Sequence, residues 1–280
     1  MRLARVLLPE SIRPVVALER DGALYELEAL ERAWGLTELG SDLHRRLIAL
    51  RGAGLAALDE RLGGGDRPSA ARIARAGFLW LAPCDAARAA CVHIDVSATR
   101  PRFWLGSARG LLGHGATVDV APDTSVELAL GVLIGEELRR ASAREVEAAI
   151  VGYAPALRYG ASSPPADLES ALRDRTQLGP VLVSRDAARS VELARSRLRV
   201  GATTKDGARL GDACCSVPEA IAEVSRDFDF TPGDLVIFGP FARLAAVAGQ
   251  AVVGSVEQLG ALSATTRARD GSAPYPAERG

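Results

Sequence analysis

A chain of 280 residues with 48% hydrophobic and 25% charged side chains has a globular composition, long enough for one large domain or a large one beside a small one. Its 34 basic and 35 acidic side chains leave a formal net charge of −1, which gives no electrostatic footprint for nucleic acid or an acidic membrane. The four cysteines lack a Cys-x-x-Cys spacing and the three histidines lie far apart, so no zinc pattern exists. Reduced thiols in a cytoplasmic protein are expected.

The opening MRLARVLLPESIRP holds a short apolar run with no small-residue cleavage site, and reads as a first strand rather than a signal peptide. No stretch approaches the roughly 20 apolar residues of a membrane-spanning helix. Apolar runs at 3–8 and 14–18, followed by Asp21-Gly22 and by Leu24, Tyr25 and Leu27, predict strand, turn and strand. From Leu27 to about Leu62 the pattern turns helical, with Leu43, Leu47, Leu50, Leu55, Leu58 and Leu62 recurring at helical spacing. Gly63-Gly64-Gly65-Asp66-Arg67-Pro68 then breaks the chain. A small N-terminal α/β domain over residues 1–75 is expected, with a connector at 70–82.

Residues 76–268 read as mostly β. The run 90–96 alternates, setting Cys91, His93 and Asp95 on one face and Val92, Ile94 and Val96 on the other. Strands are expected at 118–120 and 126–134, the second apolar enough to be buried on both faces. Ser142 with Glu145 makes a capping box for a helix over 142–151. Strands follow at 180–183, 197–202 and 235–238. A helix over 216–224 starts with Ser216 as cap, Pro218 in the first turn and Glu219 at the third position. Strands at 251–256 and 262–266 close the sheet, and residues 269–280 look like a disordered tail. Phosphate loops, nucleophile elbows and dinucleotide fingerprints are absent from the sequence.

The segment Val-Glu-Leu-Ala-Leu-Gly-Val-Leu-Ile-Gly at 126–135 resembles the core strand of the fumarylacetoacetate hydrolase family. Gly152-Tyr153, Leu178-Gly179-Pro180, Ser216-Val217-Pro218-Glu219 and Pro232-Gly233-Asp234-Leu235-Val236 follow in the family's order, with Gly239 beyond them. Glu257-Gln258-Leu259-Gly260-Ala261-Leu262 is similar to its closing hairpin. The resemblance covers residues 83–268. It implies an α/β fold, a β-rich mixed sheet roll with flanking helices, and a homodimer.

The same resemblance implies a degenerate metal site. Of the family's Glu-x-Glu pair of cation ligands, this chain has Ser125 and Glu127, and the third metal carboxylate falls on Arg158. Two family lysines fall near Ser170 and on Leu105, and its Gly-Thr-Pro is Gly239-Pro240-Phe241 here. The lid with a His-x-x-Glu pair that activates water is replaced by the short Ser97-Ala98-Thr99-Arg100-Pro101. No metal and no other cofactor is therefore expected, and metal-assisted carbon–carbon hydrolysis should not operate.

Glu127 and Arg158 are expected to pair. Two readings stay open: the pair only fills an emptied site, or Arg158 holds a substrate carbonyl or enolate oxygen in the cation's place. His93 and Asp95 share a strand face and could do acid–base work, against a purely structural role. His114 is a weaker candidate, and His44 reads as a solvated helix residue. Trp104, Tyr153, Tyr159 and Arg243 are candidates for substrate binding, against core or surface roles. The expected function is a metal-independent isomerisation, cyclisation or elimination on a carbonyl-rich, polyketide-like small molecule in secondary metabolism. The alternatives are a non-catalytic ligand-binding homologue, or a metal-dependent hydrolase or decarboxylase in a different register.

Overall fold

Asp21 and Gly22 both take positive φ, 52° and 72°, and so close a tight turn between β2 (Val15–Arg20) and β3 (Ala23–Glu26). This computed structural model describes residues 1–39, 42–74, 77–84, 90–97, 99–106, 110–161, 174–188 and 190–269. The expected tail at 269–280 lies outside them apart from Arg269. β1 (Arg2–Leu7) pairs antiparallel with β2.

The helical stretch is two helices, α1 (Leu27–Ala33) and α2 (Leu43–Gly63). Gly35 causes the break. At φ +65° it ends α1, with its own N–H donating to Arg32 O and that of Leu36 donating to Glu31 O. Glu31 then ties the pieces together. Its carboxylate accepts a two-pronged bond from Arg46 of α2 and a third bond from Leu39 N at 3.1 Å.

The strands of the first 73 residues continue the main sheet. Its twelve strands include the path β4-β3-β2-β1-β12-β10-β9-β15-β6-β7, in which β4 is Arg72–Ile73, β6 Cys91–Asp95, β7 Arg102–Gly106, β9 Ser125–Ile134, β10 Ile150–Gly160, β12 Val181–Ser184 and β15 Leu235–Ala245. β1 pairs antiparallel with β12, and β5 (Leu79–Leu81) also pairs with β1. Strands on both sides of the boundary expected at residue 75 therefore belong to one hydrogen-bonded sheet.

At the centre stand β9 (Ser125–Ile134), β10 (Ile150–Gly160) and β15 (Leu235–Ala245), flanked by β6 (Cys91–Asp95) and β7 (Arg102–Gly106). All ten residues of β9 are buried, as a run apolar on both faces requires. A second sheet runs β14-β13-β16-β17-β8, with β8 at Ala116–Val120, β13 at Ser196–Val200, β14 at Thr203–Asp206, β16 at Ala251–Val256 and β17 at Gly260–Ala268. It covers one face of the first, where Val126, Leu128 and Leu157 join Leu198, Val252 and Leu262 in one core. The layers close tightly at Gly254, where a Cβ would stand 2.8 Å from Leu157 and 2.9 Å from Leu128.

The other face carries Ala129, Leu133, Ala154, Ala156, Leu235 and Ile237, in one cluster with Leu27, Leu30, Leu43 and Leu47 of α1 and α2. The strand period of two therefore sends each residue of β9, β10, β15 and β6 to a known side. α3 (Ala143–Ala149) and α4 (Val217–Val224) both start with the predicted capping boxes, with Glu145 N and Glu219 N donating to Ser142 and Ser216 Oγ. α3 stops short of residue 151 because Ile150 already belongs to β10.

Candidate functional site

On the helix-covered face, the polar residues of the central strands collect at one end. In register, Glu127 of β9 lies opposite Arg158 of β10 on one side and opposite Arg243 of β15 on the other. Opposite charges directly across a ladder attract, and both pairs close. Arg158 Nη1 donates to Glu127 Oε2 at 2.6 Å, and Arg243 Nε donates to Oε1 at 2.6 Å.

Arg158 is held from its far side as well. Its Nε and Nη2 donate to Asp174 Oδ2 at 2.9 and 2.7 Å. Asp174 precedes β11 (Arg175–Leu178), the strand that pairs Thr176 with Arg158. The carboxylate fits because residue 160 is glycine: a Cβ there would stand 2.1 Å from Asp174 Oδ1. Sequence reasoning missed Asp174. Its only signal is an acid set between Arg173 and Arg175, just before a strand.

Arg158 and Glu127 are each 3% exposed. Burial alone would lower the Arg158 pKa, but Glu127 and Asp174 outweigh it and raise the value, so the guanidinium stays charged. Burial pushes the Asp174 carboxyl up, with Arg158 opposing. The two arginines differ in what they have left. All three nitrogens of Arg158 are engaged, Nη2 also reaching Ala161 O at 3.5 Å. Arg243 spends Nε and Nη2 on one oxygen of Glu127, its side chain is 35% exposed, and its Nη1 has no partner among the described residues.

Across the cleft stand β6 and β7, where His93 pairs with Trp104 and Asp95 with Arg102. The His93 and Trp104 rings stack, with centroids 5.3 Å apart and planes 6° from parallel. The Arg158 guanidinium carbon lies 5.2 Å from the Trp104 ring centre, a cation–π contact. Asp95 accepts from Ser97 N at 2.9 Å, Ser97 Oγ at 2.6 Å and Arg102 Nη2 at 3.3 Å. His93, Asp95, Trp104, Glu127, Arg158 and Arg243 thus line one cleft, whose volume of about 10 Å³ is room for a single water.

Three expectations need correction. Tyr153 and Tyr159 do not flank the cleft, because the alternation that points Arg158 into it points them to the opposite face of β10, into the core beneath the second sheet. Tyr159 Oη donates to Gln177 Oε1 at 3.2 Å there. His93 does not titrate near neutrality. Burial, aided by the charge of Arg158, pushes its pKa down to about 3, so it is neutral at physiological pH and a weak proton acceptor. His114 lies away from the cleft, with Ser263 N donating to its Nδ1 at 3.2 Å. Ser170 and the His44 side chain fall outside the described residues.

The depressed His93 value has a measurable consequence. Unfolded, the imidazole takes a proton near pH 6.5; folded, it does not until about 3. The unfolded chain therefore binds more protons in that window, and stability falls as pH drops through it. Between pH 6.5 and 5 the loss is about 2 kcal/mol, from about 1.4 kcal/mol per unit. In urea titrations, His93→Gln should lose that part of the acid slope; an unchanged slope would contradict a buried neutral imidazole.

A sequence model of the fumarylacetoacetate (FAA) hydrolase C-terminal region matches residues 81–267. A fumarylpyruvate hydrolase from Ralstonia sp is 29% identical over 189 residues, 61% of this chain and 95% of that protein. The structure of maleylpyruvate hydrolase from Sphingobium sp. SYK-6, in complex with manganese(II) ion and pyruvate, aligns with a TM-score of 0.77 at 20% identity, covering 96% of this chain and 100% of that one. The 5-carboxymethyl-2-hydroxymuconate delta-isomerase from Mycobacterium smegmatis aligns at 0.71 with 18% identity and the same coverage.

The residues present do not suit a hard divalent cation, which takes six or more oxygen ligands. Both oxygens of Glu127 face guanidinium groups, Asp174 is spent on Arg158, and Ser125 Oγ donates to Gly160 O at 3.1 Å. No group of three His, Cys, Asp or Glu side chains converges among the described residues. That difference lies in side chains and not in ancestry. The matched region takes in every residue that lines the cleft, and this chain belongs to the fumarylacetoacetate hydrolase family.

Proposed function

We propose that this chain is a small-molecule enzyme of the family that works without a divalent cation, rearranging a carbonyl-rich acid by isomerisation, cyclisation or elimination. The supporting observation is that Glu127 is bonded from both sides by arginine, so two guanidinium groups are fixed in the lining of the cleft. Arg158, fully engaged, is the fixed charge. Arg243, with free N–H groups, is the group that meets a substrate carbonyl or enolate oxygen. Asp95 is the proton acceptor of the cleft, since His93 is held neutral by burial. Trp104, stacked on His93 and in cation–π contact with Arg158, closes the side of the cleft. The reading keeps the cytoplasm, a homodimer and secondary metabolism as its setting.

The cleft's small volume favours a second reading, a non-catalytic homologue that binds a ligand or partner. Fumarylpyruvate and maleylpyruvate, the acids named for two relatives, are suitable probes. Their conjugated absorbance is expected to change in the presence of the enzyme without release of pyruvate, equally with and without EDTA. Glu127→Gln, checked for folding, should slow the change. Stoichiometric magnesium or manganese in the purified protein, or hydrolysis that needs added manganese, would reject the metal-free account. Saturable binding with no chemical change would establish the second reading.

A further inference from the structure

We propose that Cys214 and Cys215 form a two-thiol chelate for trivalent arsenic, taken up as neutral arsenous acid or an organoarsenical. Cys84 and Cys91 are buried, whereas Cys214 is exposed and Cys215 half-buried. Successive side chains of an extended segment point to opposite sides. Here the bend at residues 213–215 turns both the same way, and the two Sγ atoms are 3.8 Å apart.

The bend is held at both ends. Before it, a short 3-10 turn at Leu210–Asp212 is closed by Arg209 N donating to Asp212 Oδ2 at 3.2 Å. After it, Ser216 N and Oγ both donate to Glu219 Oε2 at 2.8 Å in the box that starts α4. A chelate with its geometry already fixed loses little freedom on binding.

The chemistry selects the ligand. Burial, then the contact with Cys214 and the charge of Glu219, push the Cys215 thiol up to about 12, so it stays protonated at neutral pH. Redox-active and alkylation-prone thiols have the opposite character. A divalent cation would have to expel both protons, and no third His, Cys, Asp or Glu stands ready among the described residues. Arsenous acid needs no prior ionisation. As(OH)₃ and two R–SH give (RS)₂As–OH and two waters. Two As–O and two S–H bonds break, two As–S and two O–H bonds form, and no oxidation state changes. The product is neutral and adds no charge beside Glu219. The site shares no residue with the lining of the cleft.

The test uses the full chain, reduced and handled anaerobically, with phenylarsine oxide and arsenite as probes. One arsenic per chain is expected in intact mass spectra after gel filtration, and protease digestion should map it to the peptide holding residues 214 and 215. Cys214→Ser and Cys215→Ser, each checked by circular dichroism, should weaken binding at least about a hundredfold, the usual order for losing one arm of a bivalent contact. Failure to retain arsenic, an adduct mapped to Cys84 or Cys91, undiminished binding by either serine variant, or equal uptake of zinc by the pair would each overturn the proposal.

Discussion

Arg158→Met is expected to destabilise the fold by about 3–5 kcal/mol, the usual cost of removing one partner from a buried ion pair. The reason lies more in the acids than in the arginine. Glu127 keeps Arg243 after the change. Among the described residues, both of the bonds that Asp174 accepts from a guanidinium come from Arg158, which leaves it only the charge of Arg175. A half-buried carboxylate whose pKa already sits above its ordinary value would be left unpaired. Asp174→Asn, added to Arg158→Met, should therefore restore a good part of the loss. Mild acid should also narrow the gap between Arg158→Met and the parent, because protonating Asp174 removes the unpaired charge. Urea denaturation of the parent, Arg158→Met, Asp174→Asn and the double variant measures each term. Arg158→Met within about 1 kcal/mol of the parent would mean that the ion pairs among Glu127, Arg158, Asp174 and Arg243 do not hold the site together.

A loss of similar size, about 3–5 kcal/mol, is expected for Arg46→Met, in a different part of the molecule. The Arg46 side chain is fully buried and that of Glu31 is 2% exposed. Their two-pronged pair joins α2 to the Schellman turn that ends α1, and Leu39 N adds a third bond to the same carboxylate. Removing the arginine leaves an anion inside a cluster of leucines. Replacing both residues by methionine should come closer to the parent than either single change, since an apolar pair of similar volume avoids the desolvation penalty. The cleft should not notice, because neither residue lines it. If the double variant were the least stable, the pair would be contributing more than its own neutralisation.

How much could be read from the chain depended on which physical signal each element carried. The capping boxes at Ser142 and Ser216 are local, and both helices begin where these boxes place them. The strand at 251–256 is rich in β-branched valine, at 252, 253 and 256, and it was legible to the residue. β10 was not read as a strand. It is buried on both faces, which erases the period of two, and Gly152 and Pro155 within it look like breakers. The long helix was read through Gly35, whose left-handed conformation is a matter of one residue.

In the site, the neighbourhood of Glu127 and Arg158 followed from family order, but the second arginine's register did not. Asp174 was invisible because it reaches Arg158 from outside β10, just ahead of β11. Tyr153 and Tyr159 were misplaced for want of the strand itself: without β10, nothing assigns odd and even positions to opposite faces.

The register that sets Arg158 and Arg243 on either side of Glu127 also shapes the routes open to this lineage. Two cations and two anions are balanced there, and of the four side chains only that of Arg243 is substantially exposed. Changing Arg158 to an acid would leave three negative charges against one positive, and changing Ser125 to glutamate would add a negative charge with no cation of its own. Each single step toward a cluster of three carboxylates thus leaves charge uncompensated in the cleft, so a cage of acids could be built at this register only by paired replacements and not by one change at a time.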